Sequence, residues 1–517
     1  MTPQQQQIAD RLAAELLQLL RAPSADPAQR AHRLALSREA MGAGLAARAI
    51  PLLGALAKAD PADGEAALLY GVALRMEQRF PEASDVFSAA LSRSGAHPAL
   101  MQGLAQTRYE LGLPAADLFA RALAAQPGNL ELLRNHALAL ASEGRAENAA
   151  QLLQRELAAK PGWLEGHKAL AVLNWTSGEA AHFADHFAAA ARAQPGNAEL
   201  WLAWFRMVAQ ARDWAGAAAI LDEAERQLGT TPAIMACRLF LAVESHDDAA
   251  AAPLLDQTAH IRGDVTSLCR IRHALRQGDP ARAEAEALPL VGGPSAMLYW
   301  PYLSLAWRMR GDDRWQWLDR PDDLIAAHDS GLSAEELAEL AELLRELHTA
   351  KAPYIEQSVR GGTQTDRSVL LRHEPALQRL KARLLELVRG HVAGLPPPDP
   401  QHPLLGTPRE HLLVEGSWSV RLLRQGYNVP HTHAMGWLST AFYVSLPSAQ
   451  DMGPPPAGHI AFGTPPAELG LDIAPYRVIR PEPGRLAIFP SYAWHGTIPF
   501  EDGERLMIAF DTRRPAY

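Results

Sequence analysis

Leu152-Leu-Gln-Arg-Glu-Leu-Ala-Ala-Lys160, followed by Pro161-Gly162-Trp163, is the stretch on which the architecture turns. It reads as an alanine-rich amphipathic helix stopped by Pro-Gly. On either side the same stop returns: Pro127-Gly128-Asn129 follows a helix expected from Leu118 to Gln126, and Pro195-Gly196-Asn197 follows one expected from Phe187 to Gln194. Pro127, Pro161 and Pro195 are 34 residues apart. Gly144-Arg145 and Gly178-Glu179 fall where a tight turn would join two helices of one unit. Helix pairs at a fixed period cannot bury their apolar faces singly and must stack on neighbours.

The period and its proline stops resemble tetratricopeptide repeats. Pro61, Pro98 and Pro232 mark further unit ends at less regular intervals of 37, 29 and 37 residues, and the unit from Ala99 to Pro127 is shortened. The expectation is an N-terminal helix over 1–29 and a right-handed solenoid over 30–262. A helical cap or connector follows over 263–332, carrying the aromatic cluster Tyr299, Trp300, Tyr302, Trp307, Trp315 and Trp317. That cluster either caps the solenoid, docks the next domain or fills a core. Ser333-Ala-Glu-Glu336 has a capping-box pattern and starts a helix running to His348; a second helix spans Glu374 to Val392 and ends before Leu395-Pro-Pro-Pro-Asp-Pro400.

Beyond that proline-rich segment, period 3.6 gives way to short runs of β-branched and aromatic residues. Strands are expected at Trp418–Leu423, Leu438–Leu446, His459–Phe462, Arg485–Phe489 and Arg505–Asp511, with a turn at Pro481–Gly484. Short strands punctuated by Gly and Pro predict an antiparallel double-stranded β-helix, or jelly roll, over about 415–514. The fold class expected is therefore multidomain: an all-α solenoid, then an all-β jelly roll with flanking helices over 333–517, the two being separable units.

His431 and His433 are two residues apart, so on one strand they would face the same side and reach a single ion. His495 follows in Phe489-Pro-Ser-Tyr-Ala-Trp-His-Gly496, on a late strand. Two imidazoles from an early strand and one from a late strand, meeting in a barrel mouth, assemble a facial metal triad. Arg505 opens the last apolar strand; pointing inward, its guanidinium would need a carboxylate partner to offset desolvation. His459 is expected to lie outside the ligand set.

Five blocks now stand in order: Gln357-Ser-Val-Arg-Gly-Gly-Thr-Gln-Thr365, Ser417-Trp418-Ser419, His431-Thr-His433 leading to Ser439-Thr-Ala-Phe-Tyr443, Phe489 to His495, and Arg505. Over roughly residues 350–514 they resemble the 2-oxoglutarate and Fe(II) dependent oxygenases that carry an HxH motif. The resemblance implies His431 and His495 as iron ligands and Arg505 as the group that binds the distal carboxylate of 2-oxoglutarate. His433 stands where the wider superfamily has Asp or Glu, and the missing charge should weaken Fe(II) binding. Ala434, Thr440 and Met507 replace the Pro, Gly and Ser common there, so Ser439 or Tyr443 is expected to support the co-substrate. Fe(II), 2-oxoglutarate and O2 are the cofactors implied, and hydroxylation is the reaction; an all-imidazole set also permits a halide ligand and halogenation.

An extended concave repeat surface suits a protein or peptide, as substrate or scaffold. The other readings are a small-molecule hydroxylase, a three-histidine metal dioxygenase that uses no 2-oxoglutarate, and a non-catalytic repeat adaptor. A hydrophobic fraction of 48% and charged fraction of 21% describe a globular chain, and a net charge of -9 without basic runs argues against nucleic acid as partner. Cys237 and Cys269 match neither a zinc-finger spacing nor a disulfide framework and are expected to be buried thiols. The segment Met1–Leu20 lacks a basic start and a continuous apolar run, and no stretch approaches the roughly 20 apolar residues of a membrane span. A cytoplasmic location is expected.

Overall fold

A computed structural model describes residues 3–21, 27–94, 97–355 and 357–515; the start of the expected N-terminal helix at Met1 lies outside them, as do residues 22–26 of the expected 1–29 unit. The helix itself runs Pro3–Arg21. Paired helices then follow in sequence, including Gly64–Met76 with Phe80–Ser94, Leu130–Ser142 with Ala146–Ala159, and Ala198–Gln210 with Trp214–Leu228. The repeat signature has a local mechanical cause. Asn129 and Asn197 each cap the following helix by accepting from a backbone N–H three residues on, at 3.1 and 3.4 Å. Gly144 and Gly178 hold positive φ of 77° and 94° at the turns inside their units, where a β-carbon would be strained.

Helix pairing continues through Asp264–Arg276 and Pro280–Ala287, past the expected limit at 262. The shortened unit is real: Ala116–Ala125 has 10 residues where its successor Ala146–Ala159 has 14. Cys269 is buried and Cys237 half-buried; burial raises their thiols to about 12 and about 11, so neither is a thiolate at neutral pH.

The C-terminal part is an antiparallel jelly roll. In chain order its strands are β1 (Ala326–Asp329), β2 (Val359–Gln364), β3 (Val414–Asn428), β4 (Gly436–Ser445), β5 (Ile460–Phe462), β6 (Arg477–Ile479), β7 (Arg485–Pro490), β8 (His495–Thr497) and β9 (Glu504–Arg513). A six-stranded sheet runs β1-β7-β4-β9-β3-β2, and a three-stranded sheet runs β6-β5-β8. The five expected strands correspond to β3, β4, β5, β7 and β9, and the late strand expected to hold His495 is β8; β1, β2 and β6 carried too little apolar signal to be read. Strand β9 shows how the sheet packs. Leu506, Ile508 and Phe510 face the flanking helices, whereas Met507 and Ala509 face the interior with Val420, Tyr443, Phe462 and Phe489. Both faces are buried, so the strand reads as one apolar run rather than an alternation.

Ser333 and Glu336 form the expected capping box on Ala334–Leu347, which packs with Pro375–Ala393 over the outer face of the large sheet. The aromatic segment joins the same core. Tyr299, Trp300, Tyr302 and Trp307 are buried there, Trp494 donates from its indole to the Pro301 carbonyl at 3.0 Å, and Trp315 stacks on Tyr476. It is a docking surface and a core at once. Together with β1, which pairs with β7 ahead of residue 333, it ties the connector to the jelly roll in one continuous cluster. The expected separability is not what this core supports.

The repeats are anchored to the jelly roll through the ends of their first helices, whose last carbonyls have no partner within the helix. Leu111 O accepts from the His373 backbone N–H at 3.0 Å, Tyr109 O from Arg367 at 3.2 Å and Thr176 O from the Lys351 N–H at 2.9 Å. Trp175 donates to Pro353 O at 2.7 Å, Glu77 pairs with His411 at 2.6 Å, and Arg212 pairs with Glu468. Trp494→Ala should therefore lower unfolding free energy by about 3–5 kcal/mol, the usual loss for a buried Trp, in a denaturant titration. A chain cut to 330–517, without β1 and the aromatic segment, should give no cooperative transition in that experiment.

Candidate metal centre

The HxH segment lies on the loop between β3 and β4, not on a strand. What aligns it is a single antiparallel bridge: His431 N–H donates to His495 O at 2.9 Å, and His495 N–H to His431 O at 3.1 Å. This bridge joins the end of β3, in the large sheet, to β8 in the small one. Gly496 makes it possible, because a β-carbon there would stand 3.0 Å from Asn428 O and Pro430 N. His433 is fixed separately, its N–H donating to Ser491 O at 2.8 Å.

The three imidazoles converge, with one ligand-capable atom from each lying within 4.8 Å of the others. Their outward nitrogens are engaged. Nδ1 of His431 is 2.8 Å from Val429 O and that of His495 is 3.0 Å from Ala493 O, so each Nδ1 carries the proton and Nε2 keeps its lone pair. Burial pushes His431 down to about 3 and His495 well below the ordinary histidine value, with the neighbouring imidazoles adding to the effect. Both are neutral donors at physiological pH, as metal ligation requires. Phe489 packs against His495 and Trp418 against His433. His459 turns its Nδ1 to Ala457 O at 3.0 Å and takes no part.

Behind His433 the arrangement differs. Its Nδ1 lies 2.8 Å from Asp511 Oδ1 and 3.1 Å from Ser439 Oγ. Ser439 Oγ is 2.6 Å from the same carboxylate oxygen and 2.9 Å from Ser491 Oγ, with its single proton directed to the carboxylate. Ser439, expected to support a co-substrate, thus has its hydroxyl committed to the His433–Asp511 contact. Asp511 was not singled out in the sequence. It closes the apolar run Leu-Met-Ile-Ala-Phe at an odd position shared with Arg505, and that parity was the available signal.

A narrow cavity of about 40 Å3 runs inward from the triad between Trp418, Val420, Asn428, Phe489, Met507 and Arg505. Ala441 and Ala509, directly opposite each other in the β4–β9 register, line its middle, where small side chains leave room. Arg505 is 1% exposed, and its Nε and Nη1 have no hydrogen-bond partner. Its guanidinium carbon sits 5.1 Å from the Tyr443 ring centre, and the guanidinium and the buried Tyr443 hydroxyl interact with each other. Burial depresses the Arg505 pKa and raises that of Tyr443. A buried cation without a counter-ion costs several kcal/mol, so the pair is arranged for an anion absent from the chain itself. Three converging imidazoles and a buried guanidinium without a carboxylate partner, lining one cavity, are donors that fit an Fe(II) ion and a carboxylate-bearing co-substrate.

On its outer side the triad opens into a cleft of about 820 Å3 between the two parts of the chain. Trp175, Gln210, Trp214 and Phe240 come from the repeats; Tyr354, Trp418, His431 and His433 come from the jelly roll.

Residues 416–511 match the family described as "Putative 2OG-Fe(II) oxygenase", and residues 34–98 and 113–162 match a tetratricopeptide-repeat family. No curated protein matches the chain. Similar solved structures are a tetratricopeptide repeat protein from Parabacteroides merdae (17% identity, 46% of this chain and 97% of that one, TM-score 0.30) and a MamA fragment from Desulfovibrio magneticus RS-1 (19% identity, 31% and 94%, TM-score 0.29). Among the described residues no helix is long and apolar enough to cross a membrane.

His431→Ala and His495→Ala should each weaken Fe(II) binding by more than the roughly 10–100-fold that follows loss of a contact behind a ligand. Anaerobic titration with the far-UV spectrum unchanged is the check, and wild-type affinity in either variant would remove that residue from the ligand set.

Proposed function

We propose that this chain is a 2-oxoglutarate and Fe(II) dependent oxygenase that hydroxylates a polypeptide held between the repeats and the mouth of the jelly roll. The observation that carries the reading is that one cavity is lined by both a three-imidazole cluster and a buried guanidinium that has no carboxylate partner and whose Nε and Nη1 are unengaged. A three-histidine dioxygenase without 2-oxoglutarate would use that guanidinium for a carboxylate of its own substrate, so the two readings part on whether 2-oxoglutarate binds at Arg505. With 2-oxoglutarate and O2, a bound Fe(II) supplies an oxidant strong enough for an unactivated C–H bond, with succinate as co-product.

The chain's own groups prepare that chemistry. Arg505 takes the distal carboxylate by charge-assisted hydrogen bonds from Nε and Nη1, with the Tyr443 hydroxyl as a further donor. Ala441 and Ala509, side by side on one face of the sheet, leave space above them for the carbon chain, and the chelating end is thereby set at the triad before the substrate enters. Phe489, Met507 and Val420 exclude water from the cavity. The cleft outside has the size and aromatic lining to hold an extended peptide, with repeat residues forming the wall opposite the triad.

Two experiments bear on this. In Arg505→Ala the distal carboxylate would be buried without a partner, costing on the order of 3–5 kcal/mol. Apparent 2-oxoglutarate affinity, read as succinate formed at saturating iron, should fall by a few hundred-fold or more, at about 1.4 kcal/mol per tenfold, with Fe(II) binding retained. Unchanged affinity would put the three-histidine dioxygenase reading ahead. The second concerns the substrate wall: Trp214→Ala with Phe240→Ala should leave substrate-free succinate formation intact and lower oxygen incorporation into polypeptides of a lysate, followed by mass spectrometry. Undiminished incorporation would release the repeats from substrate binding.

A further inference from the structure

A ligand set of three imidazoles lacks the negative charge that a carboxylate ligand would bring to a divalent ion. The three imidazoles are not equivalent, however. Behind His431 and His495 stand backbone carbonyls, and behind His433 stands the carboxylate of Asp511. We propose that Asp511 is the positioning residue of the metal centre: through the His433 Nδ1–H it holds the third imidazole on the ion and lends the site the charge its ligands lack. This rests on the metal reading of the triad and is independent of the co-substrate.

Asp511 is a built feature rather than a chance neighbour. It is 7% exposed, and its one ion-pair partner among the described residues is His433. A buried carboxylate with so little compensation would be costly unless its charge were matched nearby, and a divalent ion on the far side of His433 matches it. Three segments converge to fix it. Strand β4 supplies Ser439, fully buried and opposite Asp511 in the β4–β9 register, with its hydroxyl on Oδ1. The end of β7 leads to Ser491, whose hydroxyl meets Ser439 and whose carbonyl receives the His433 N–H. The turn after His433 supplies Gly436, where a β-carbon would lie 2.4 Å from Ser491 Oγ and 3.1 Å from Asp511 Cβ. Ser491 thus holds both the backbone of His433 and, through Ser439, the carboxylate that orients its ring. An imidazole hydrogen-bonded to a carboxylate is fixed in one tautomer and is a stronger donor at its other nitrogen.

The test uses the full chain, anaerobic, with Co(II) as a coloured probe alongside Fe(II). Asp511→Asn keeps the volume and removes the charge; it should weaken both ions about 10–100-fold and shift the visible Co(II) bands toward a site that has exchanged an imidazole for water. The unfolding midpoint in the absence of metal should not fall. In the His433→Asp background, where a carboxylate stands on the loop itself, Asp511→Asn should cost less than about threefold, since there is no imidazole to act through. Wild-type protein that takes up neither ion would overturn the metal reading and this inference together. Wild-type binding with an unchanged affinity and spectrum in Asp511→Asn would overturn this inference alone, and so would an equal loss in both backgrounds, which a merely structural role would give.

Discussion

Two backbone hydrogen bonds between His431 and His495 hold the working end of this protein together. They are the point at which the large and small sheets of the jelly roll meet at its mouth, and they bring the early HxH segment against the late histidine. Because the bridge is made by the backbone of His431 and His495 themselves, closure of the barrel and assembly of the triad are one event. Every other feature of the site is placed relative to it: the His433 N–H on Ser491, the Asp511 carboxylate behind His433, and Arg505 three inward-facing positions back along β9.

That last spacing connects strand geometry to chemistry. Arg505, Met507, Ala509 and Asp511 share one side of β9 in turn, so a single strand carries the carboxylate behind His433 at one end and the buried Arg505 guanidinium at the other. The two alanines side by side on β4 and β9 leave the space above them open. Ladders on both sides, to β3 and to β4, hold the strand and keep these two charged side chains at fixed places along it.

The repeats and the jelly roll behave as one body for a related reason. The carbonyls at the C-terminal ends of the first helices, Tyr109 and Thr176 with Leu111 just beyond, turn toward the jelly roll. The jelly roll meets these ends with donors from Lys351, Arg367 and His373 and with the Trp175–Pro353 contact. Docking by helix ends leaves a cleft between the two parts, since only the edges touch, and the triad opens into it.

The amino-acid sequence by itself determined the solenoid, because Pro-Gly stops and alanine-rich helices at a period of 34 are local signals that neighbouring units merely repeat. It determined the jelly roll's main strands and the convergence of His431, His433 and His495, since order and spacing along the chain are enough to bring them to one mouth. It could not place His431 and His433 on a bridged loop instead of a strand, because that depends on His495 arriving from the other sheet. Nor could it show Asp511 and Ser439 behind His433, the short strands β1, β2 and β6, or the aromatic segment's burial against Trp494. Those rest on contacts between residues far apart in the chain, and where both faces of a strand are buried, as in β9, the apolar run conceals which side faces the cavity. The register of the sheet decided that, and with it that Asp511 stands behind His433 while Arg505 lines the inner cavity.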